Sequence, residues 1–225
     1  MQITFYGHST LGIQTGQHHL LVDPFITPNE LAAHIDANQI PADYILLTHG
    51  HQDHVADAIP MAKRTGATIV GAFEVATWAG TQGIEKTHPM NHGGSWNFDF
   101  GTLKMTNAVH SSVLPDGTYG GNPAGYLLQA DKNIYIAGDT ALTMDMQLIP
   151  RWAKLDLAIL PIGDNFTMGI ADAIIAAQFV QAKRVLGVHY DTFGYIKIDH
   201  AAAKAQFAQA GITLELLEIG ASLTL

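Results

Sequence analysis

The sequence predicts a layered α/β domain in which sheets are covered by helices. Three observations carry that expectation. Short strand-type runs recur in both halves of the chain, each ended by Gly, Asn, Asp or Pro. Segments of helical periodicity stand between some of them. No Pro/Ser/Gly linker, internal repeat or low-complexity tract divides the 225 residues, so residues 1–225 read as a single domain, long enough to bury an ample core.

Taken in order, the strand-type runs are Gln2–Tyr6, Thr10–Thr15, His19–Val22 and Tyr44–Leu47. A helix is expected over Val55–Thr65, closed by Gly66 as a left-handed cap. Thr68–Gly71 and the alternating run Leu103–Val109 follow as strands. Gly120–Gly125 is glycine-rich but precedes a strand and lacks a Lys-Ser/Thr ending, which makes it a hairpin turn and not a phosphate loop. Strands are expected near Gly125–Ala130, Asn133–Ala137, Leu157–Leu160 and Arg184–Val188. Helices are expected over Ala171–Ala182 and His200–Ala210, the second ended by Gly211. The scattered Trp78, Trp96 and Trp152 are assigned to the core or a pocket wall.

Composition narrows the chemistry. The chain has no cysteine, so disulfides and thiolate ligands are excluded and any metal must be held by nitrogen and oxygen. Its net charge of -9 argues against a nucleic-acid partner, which normally meets a basic face. The N-terminus lacks a basic segment followed by an apolar stretch, and no apolar run approaches the roughly 18 residues of a membrane span. A cytoplasmic protein is the expectation. Histidine, at 12 residues, is unusually frequent; His18, His19, His34 and His200 read as surface residues.

The strongest chemical signal is Thr48-His49-Gly50-His51-Gln52-Asp53-His54, between an apolar strand and a helix start. His49 and His51, two apart in extended chain, project from the same side. Asp53 and His54, on the turn into the helix, can address a neighbouring centre. One loop thus offers ligands to two metal ions. By chance, His-x-His-x-Asp-His arises in roughly two of a thousand chains of this composition. Two sites need further ligands, and His110, Asp139 and His189 each stand at the end of an expected strand, where open α/β sheets place their sites. Each alone is weak; joined to the 49–54 cluster they complete a ligand set. Ser111 and Ser112 beside His110 have no nucleophile elbow around them.

The ordered series Asp23, His49-x-His51-x-Asp53-His54, His110, Asp139 and His189 resembles the motif set of the metallo-β-lactamase superfamily. The phrases Tyr6-Gly7-His8-Ser9, Leu21-Val22-Asp23-Pro24, Phe166-Thr167-Met168-Gly169 and His189-Tyr190-Asp191-Thr192-Phe193 resemble one branch of it, bacterial metal-dependent hydrolases related to the ascorbate-6-phosphate lactonases. The resemblance implies a four-layer αββα sandwich, two mixed sheets flanked by helices, with the site at one edge. It implies that His49, His51 and His110 bind a first metal, that Asp53, His54 and His189 bind a second, and that Asp139 bridges them. Asp23 either supports the site from behind or only shapes the turn before Pro24. His8 is expected to line the pocket, with a plain turn histidine as the alternative. A second histidine is expected in this branch before Phe166, where this chain has Asp164-Asn165. Asparagine cannot shuttle protons near neutral pH, so Asn165 is either a substrate-orienting residue or an ordinary loop residue.

The expected activity is hydrolysis of a small ester, lactone or phosphoester by a hydroxide shared between two divalent ions. Zinc is the first expectation for these ions, with manganese and nickel as alternatives. Asp53, Asp139, His8 and Asn165 are the candidate catalytic residues. The expected partner is a small-molecule substrate, without nucleic acid or membrane insertion; self-association into a homo-oligomer stays open. A nuclease reading competes less well, because the 50 residues from Asp139 to His189 leave no room for a large inserted domain. Diiron redox proteins of similar fold carry Glu where this chain has His51. A non-catalytic, structural metal centre is the remaining alternative.

Overall fold

The structure, a computed structural model, describes residues 1–225. Its strands are β1 (Gln2–Phe5), β2 (Leu11–Thr15), β3 (His18–Val22), β4 (Tyr44–Leu46), β5 (Thr68–Ala72), β6 (Thr87–Met90) and β7 (Ser95–Phe98). The set continues with β8 (Gly101–Asn107), β9 (Ala124–Gln129), β10 (Asn133–Ile136), β11 (Leu157–Pro161), β12 (Arg184–Val188), β13 (Thr213–Glu215) and β14 (Ser222–Thr224). The helices are α1 (Gln52–Val55), α2 (Ala58–Thr65), α3 (Phe73–Thr81), α4 (Ile149–Trp152), α5 (Ile170–Phe179) and α6 (His200–Gln209). No helix is long and apolar enough to cross a membrane.

Two seven-stranded mixed sheets result, ordered β14-β1-β2-β3-β4-β5-β6 and β13-β12-β11-β10-β9-β8-β7. Each half of the chain begins as an antiparallel meander and continues as parallel strands, from β3 onward in one and from β10 onward in the other. The inner faces meet through residues such as Ile3, Leu20, Leu46 and Val70 from one sheet and Leu103, Tyr126, Ile136 and Leu186 from the other. On the outer face of the first sheet Ile45 and Ile69 meet Met61 of α2 and Val75 and Trp78 of α3. On the second, Ala158 and Val185 meet Ala173, Ala176 and Ala177 of α5 and Phe207 of α6. The four-layer αββα sandwich is therefore the observed architecture. β11 is buried at every position, which explains why it reads as a continuous apolar run and not as alternation.

Several elements depart from expectation. The helix expected over Val55–Thr65 is two helices. The Asp57 amide donates to Pro24 O instead of continuing the ladder, and its carboxylate accepts from the Ile26 and Thr27 amides at 2.6 and 2.9 Å. Gly66 does close α2 in the left-handed region, at φ 73°. The turn in the 113–119 hairpin is made by Pro115–Thr118, with Val113 bridged to Tyr119, and not by Gly120–Gly125. Trp78 is buried, but Trp96 is exposed on the edge strand β7 and Trp152 is exposed at the end of α4, its ring 4.6 Å from Lys104 Nζ. α3, β6, β7, β13 and β14 have no counterpart in the sequence reading. β6 contains Pro89, tolerated because the strand lies at a sheet edge.

Candidate metal centre

The exits of β1, β3, β4, β8, β10 and β12 converge on one edge of the sandwich. Three of them turn sharply: His8, Asp23 and His189 all adopt left-handed φ, at 54°, 44° and 56°. Such conformations are costly for non-glycine residues and cluster at functional sites. At the fourth, Gly138 (φ 66°) sits so close that a Cβ would strike the Ala124 carbonyl and the Thr48 side chain. That approach brings Asp139 of the second sheet against the His49 loop of the first.

Asp139 Oδ2 is the hub. It lies 3.0 Å from His189 Nε2, 3.3 Å from His54 Nε2, 3.6 Å from His110 Nε2 and 3.9 Å from His49 Nε2. On one side His49 Nε2 and His51 Nδ1 are 2.9 Å apart, and nitrogens of His49, His51 and His110 lie within 4.8 Å of one another. On the other side Asp53 Oδ2 is 3.8 Å from both His54 Nε2 and His189 Nε2. The structure thus brings all seven residues expected as ligands together: His49, His51 and His110 form one cluster, Asp53, His54 and His189 form another that also includes His8, and Asp139 groups with His49 and His54 across the two.

Hydrogen bonds behind these atoms select their tautomers. Asp23 accepts from the Thr48 amide at 2.8 Å, from the Thr48 hydroxyl at 2.6 Å and from His54 Nδ1 at 2.9 Å. The Thr48 hydroxyl, donating to Asp23, accepts from His49 Nδ1 at 3.0 Å. Both rings thereby carry a proton at Nδ1 and turn Nε2 toward the centre. Asp23 both shapes the turn and supports the site. The sequence reading quoted Thr48 in the motif without giving it a role, and set Ser112 aside as a nucleophile. In the fold the Ser112 hydroxyl accepts from the Gly50 amide and donates to Gly120 O, which pins the His49–His51 loop.

His8 does not line the cleft. It is buried behind Asp53, its Nε2 3.0 Å from Asp53 Oδ2 and its Nδ1 3.0 Å from the Thr192 hydroxyl. Burial pushes its pKa down to about 4, so the ring is neutral and its N–H goes to Asp53. Asn165 is exposed and is not among the cleft-lining residues; at φ 55° it serves a left-handed turn instead.

The electrostatics suit a cation. Burial holds His49 well below the usual imidazole range, leaving it neutral. For His54 burial acts in the same sense, but the Asp139 and Asp23 carboxylates overcome it and hold the group well above that range. Burial also opposes ionisation of Asp139, and His54 and His189 reverse that effect. Three carboxylates grouped here demand compensating positive charge. Buried His54 Nε2 and Asp139 Oδ1 have no hydrogen-bond partner, whereas buried polar atoms normally have one. An all-N/O donor set with inward-facing atoms fits a divalent cation.

Comparison with known proteins agrees with this geometry. Residues 18–190 match the model of the beta-lactamase superfamily domain. A metal-dependent hydrolase of Christiangramia forsetii is 59% identical over 227 residues, and one of Flavobacterium johnsoniae is 58% identical over 226, each pair covered over its full length. Among solved structures, a metallo hydrolase of the archaeon Ignicoccus hospitalis superposes with a TM-score of 0.89 at 30% identity, covering 99% of this chain and 97% of the other. Sandwich, histidine–aspartate centre and full-length relatives agree, and the chain belongs to the metallo-β-lactamase superfamily as one of its metal-dependent hydrolases.

Proposed function

We propose that the centre is dinuclear and that it hydrolyses a small ester, lactone or phosphoester. In this reading His49, His51 and His110 hold one divalent ion, Asp53, His54 and His189 hold the other, and Asp139 serves both. When bound, the two ions supply Lewis acidity and lower the pKa of water from 15.7 toward about 7. The observation that carries the reading is the position of Asp139 Oδ2, within 3.0–3.9 Å of four imidazole nitrogens drawn from both groups. Zinc is the first choice for this donor set, with manganese and nickel next.

The chain's own residues supply orientation and solvent control. Asp23 and Thr48 keep Nδ1 of His54 and His49 protonated and direct Nε2 at the centre. His8 acts through Asp53, donating to its Oδ2 and so restricting that carboxylate to one orientation. Asp139 is buried and reached only from the cleft side, where His51, His110 and Asp53 are more open.

Metal analysis of the purified protein and of Asp139→Ala and His54→Ala variants tests the reading. Two ions per chain are expected for the parent, with loss of at least one ion and of hydrolysis in both variants. Full hydrolysis by a metal-stripped variant overturns it.

A further inference from the structure

The cleft over Asp139 has a volume of about 960 Å³, enough for a substrate larger than the bond to be cut. None of the chain's 11 Lys and Arg lines it. Apart from Asp53 and Asp139, its only carboxylate is Glu30. Away from the metal centre, a phosphoryl or carboxylate group would meet no charge-assisted donor from Arg or Lys, and Glu30 adds negative charge to that part of the cleft.

The opposite property is built into the wall. Phe25 follows β3, Phe166 follows β11, and Phe193 and Tyr195 follow β12, so the rings arrive on three separate loops and line one cleft. Phe166 and Tyr195 meet edge to face, with centroids 6.2 Å apart and planes at 78°. Phe25 and Phe193 are 6.4 Å apart, and both contact the His8 ring behind the metal ligands. The wall thus consists of two aromatic pairs, one exposed and one packed on the ring behind the centre. Phe166 and Tyr195 remain 48% and 79% exposed, although large rings held in water on loops bring no folding benefit. Phe166 is held there by consecutive left-handed residues, Asp164 (φ 63°) and Asn165 (φ 55°), a conformation the fold maintains at a cost.

We propose that this cleft selects an uncharged ester or lactone bearing an aromatic or comparably bulky apolar group, gripped at the mouth by Phe166 and Tyr195. The inference rests on the hydrolytic reading above and narrows it by setting phosphoesters aside. In the reaction, the oxygen of water bonds to the acyl carbon and the acyl C–O bond breaks. One proton of the water leaves with the alcohol, or with the opened hydroxyl of a lactone, and the acid is released as carboxylate and a proton.

The test pairs kinetics with direct binding on the metal-loaded protein. Phenyl acetate and dihydrocoumarin are compared with ethyl acetate, δ-valerolactone and p-nitrophenyl phosphate. N-benzylacetamide, a neutral aryl amide resistant to cleavage, is titrated by NMR. The aryl ester and lactone should be the best substrates. Phe166→Ala and Tyr195→Ala should each raise KM for them up to about tenfold with little change in kcat, and weaken benzylacetamide binding in proportion. Glu30→Lys should shift the preference toward the phosphate. Preferred turnover of p-nitrophenyl phosphate by the parent, or unchanged benzylacetamide binding in the Phe166→Ala/Tyr195→Ala double variant, overturns the inference. Absence of all turnover, with benzylacetamide binding still lost in the double variant, overturns the hydrolytic reading and leaves the aromatic grip supported.

Discussion

The Asp23 carboxylate accepts three hydrogen bonds, two from Thr48 and one from the ring of His54. Through them it sets which nitrogen of two candidate ligand histidines, His54 and His49, faces the centre. An Asp23→Asn protein keeps the size of the side chain but turns one acceptor into a donor, which conflicts with the donors already aimed at it. Metal affinity should fall roughly 10–100-fold, the usual effect of removing a partner behind a ligand, while circular dichroism stays that of the parent. Chelator competition reads this, and an unchanged affinity would show that Asp23 is only a turn residue. Both readings of Val22-Asp23-Pro24 were available in the sequence. What it could not show was that the left-handed turn and the bond to His54, 31 positions away, belong to one side chain.

The β11–α5 connection shows how an element outside the ligand set can shape the cleft. Asp164 O accepts from the Phe166 amide at 2.6 Å and the Asp164 carboxylate accepts from the Asn165 amide at 2.7 Å, closing a tight left-handed turn. Asparagine tolerates that region and a β-branched residue does not. Asn165→Val should therefore lower stability by about 1–3 kcal/mol, whereas Asn165→Gly should stay close to the parent in denaturant unfolding. Equal stability of the valine variant would refute the account. The sequence marked position 165 as a departure in chemistry; in the fold it matters as backbone conformation. The elements missed altogether were missed for two reasons. β6 and β7 are sheet edges with few buried side chains, so they carry little alternation. α3 is apolar on most positions, so periodicity alone cannot tell it from a buried strand.

At the scale of the whole molecule, the proposed ions join two sheets. His49, His51, Asp53 and His54 follow β4 of the first sheet, and His110, Asp139 and His189 follow β8, β10 and β12 of the second. Ligands that occur together only in the folded state make metal binding a contribution to folding. With free metal at a thousand times Kd the stabilisation is about 4 kcal/mol per site. For a chain of 225 residues this corresponds to roughly 8–16 °C in Tm for each site, or about 16–32 °C for two. Calorimetry before and after chelation should show a fall of that order, reversed by zinc. A Tm indifferent to chelator would mean that the two edges are held by protein contacts alone.

Local sequence was sufficient for a layered α/β domain and for the 49–54 cluster, because strand periodicity and the His-x-His-x-Asp-His spacing are properties of neighbouring residues, whereas the four-layer sandwich and the pairing into two metal sites followed from the family resemblance. His110, Asp139 and His189 were legible as strand ends and as candidate partners of the 49–54 loop, but their distances from it were not. Those required the two sheets to pack, with Gly138 allowing the close approach. The hidden place of His8 behind Asp53, and the aromatic wall assembled from three loops, were likewise decided by tertiary structure. Such arrangements depend on contacts between residues far apart in the chain, and no local pattern encodes the distance between them.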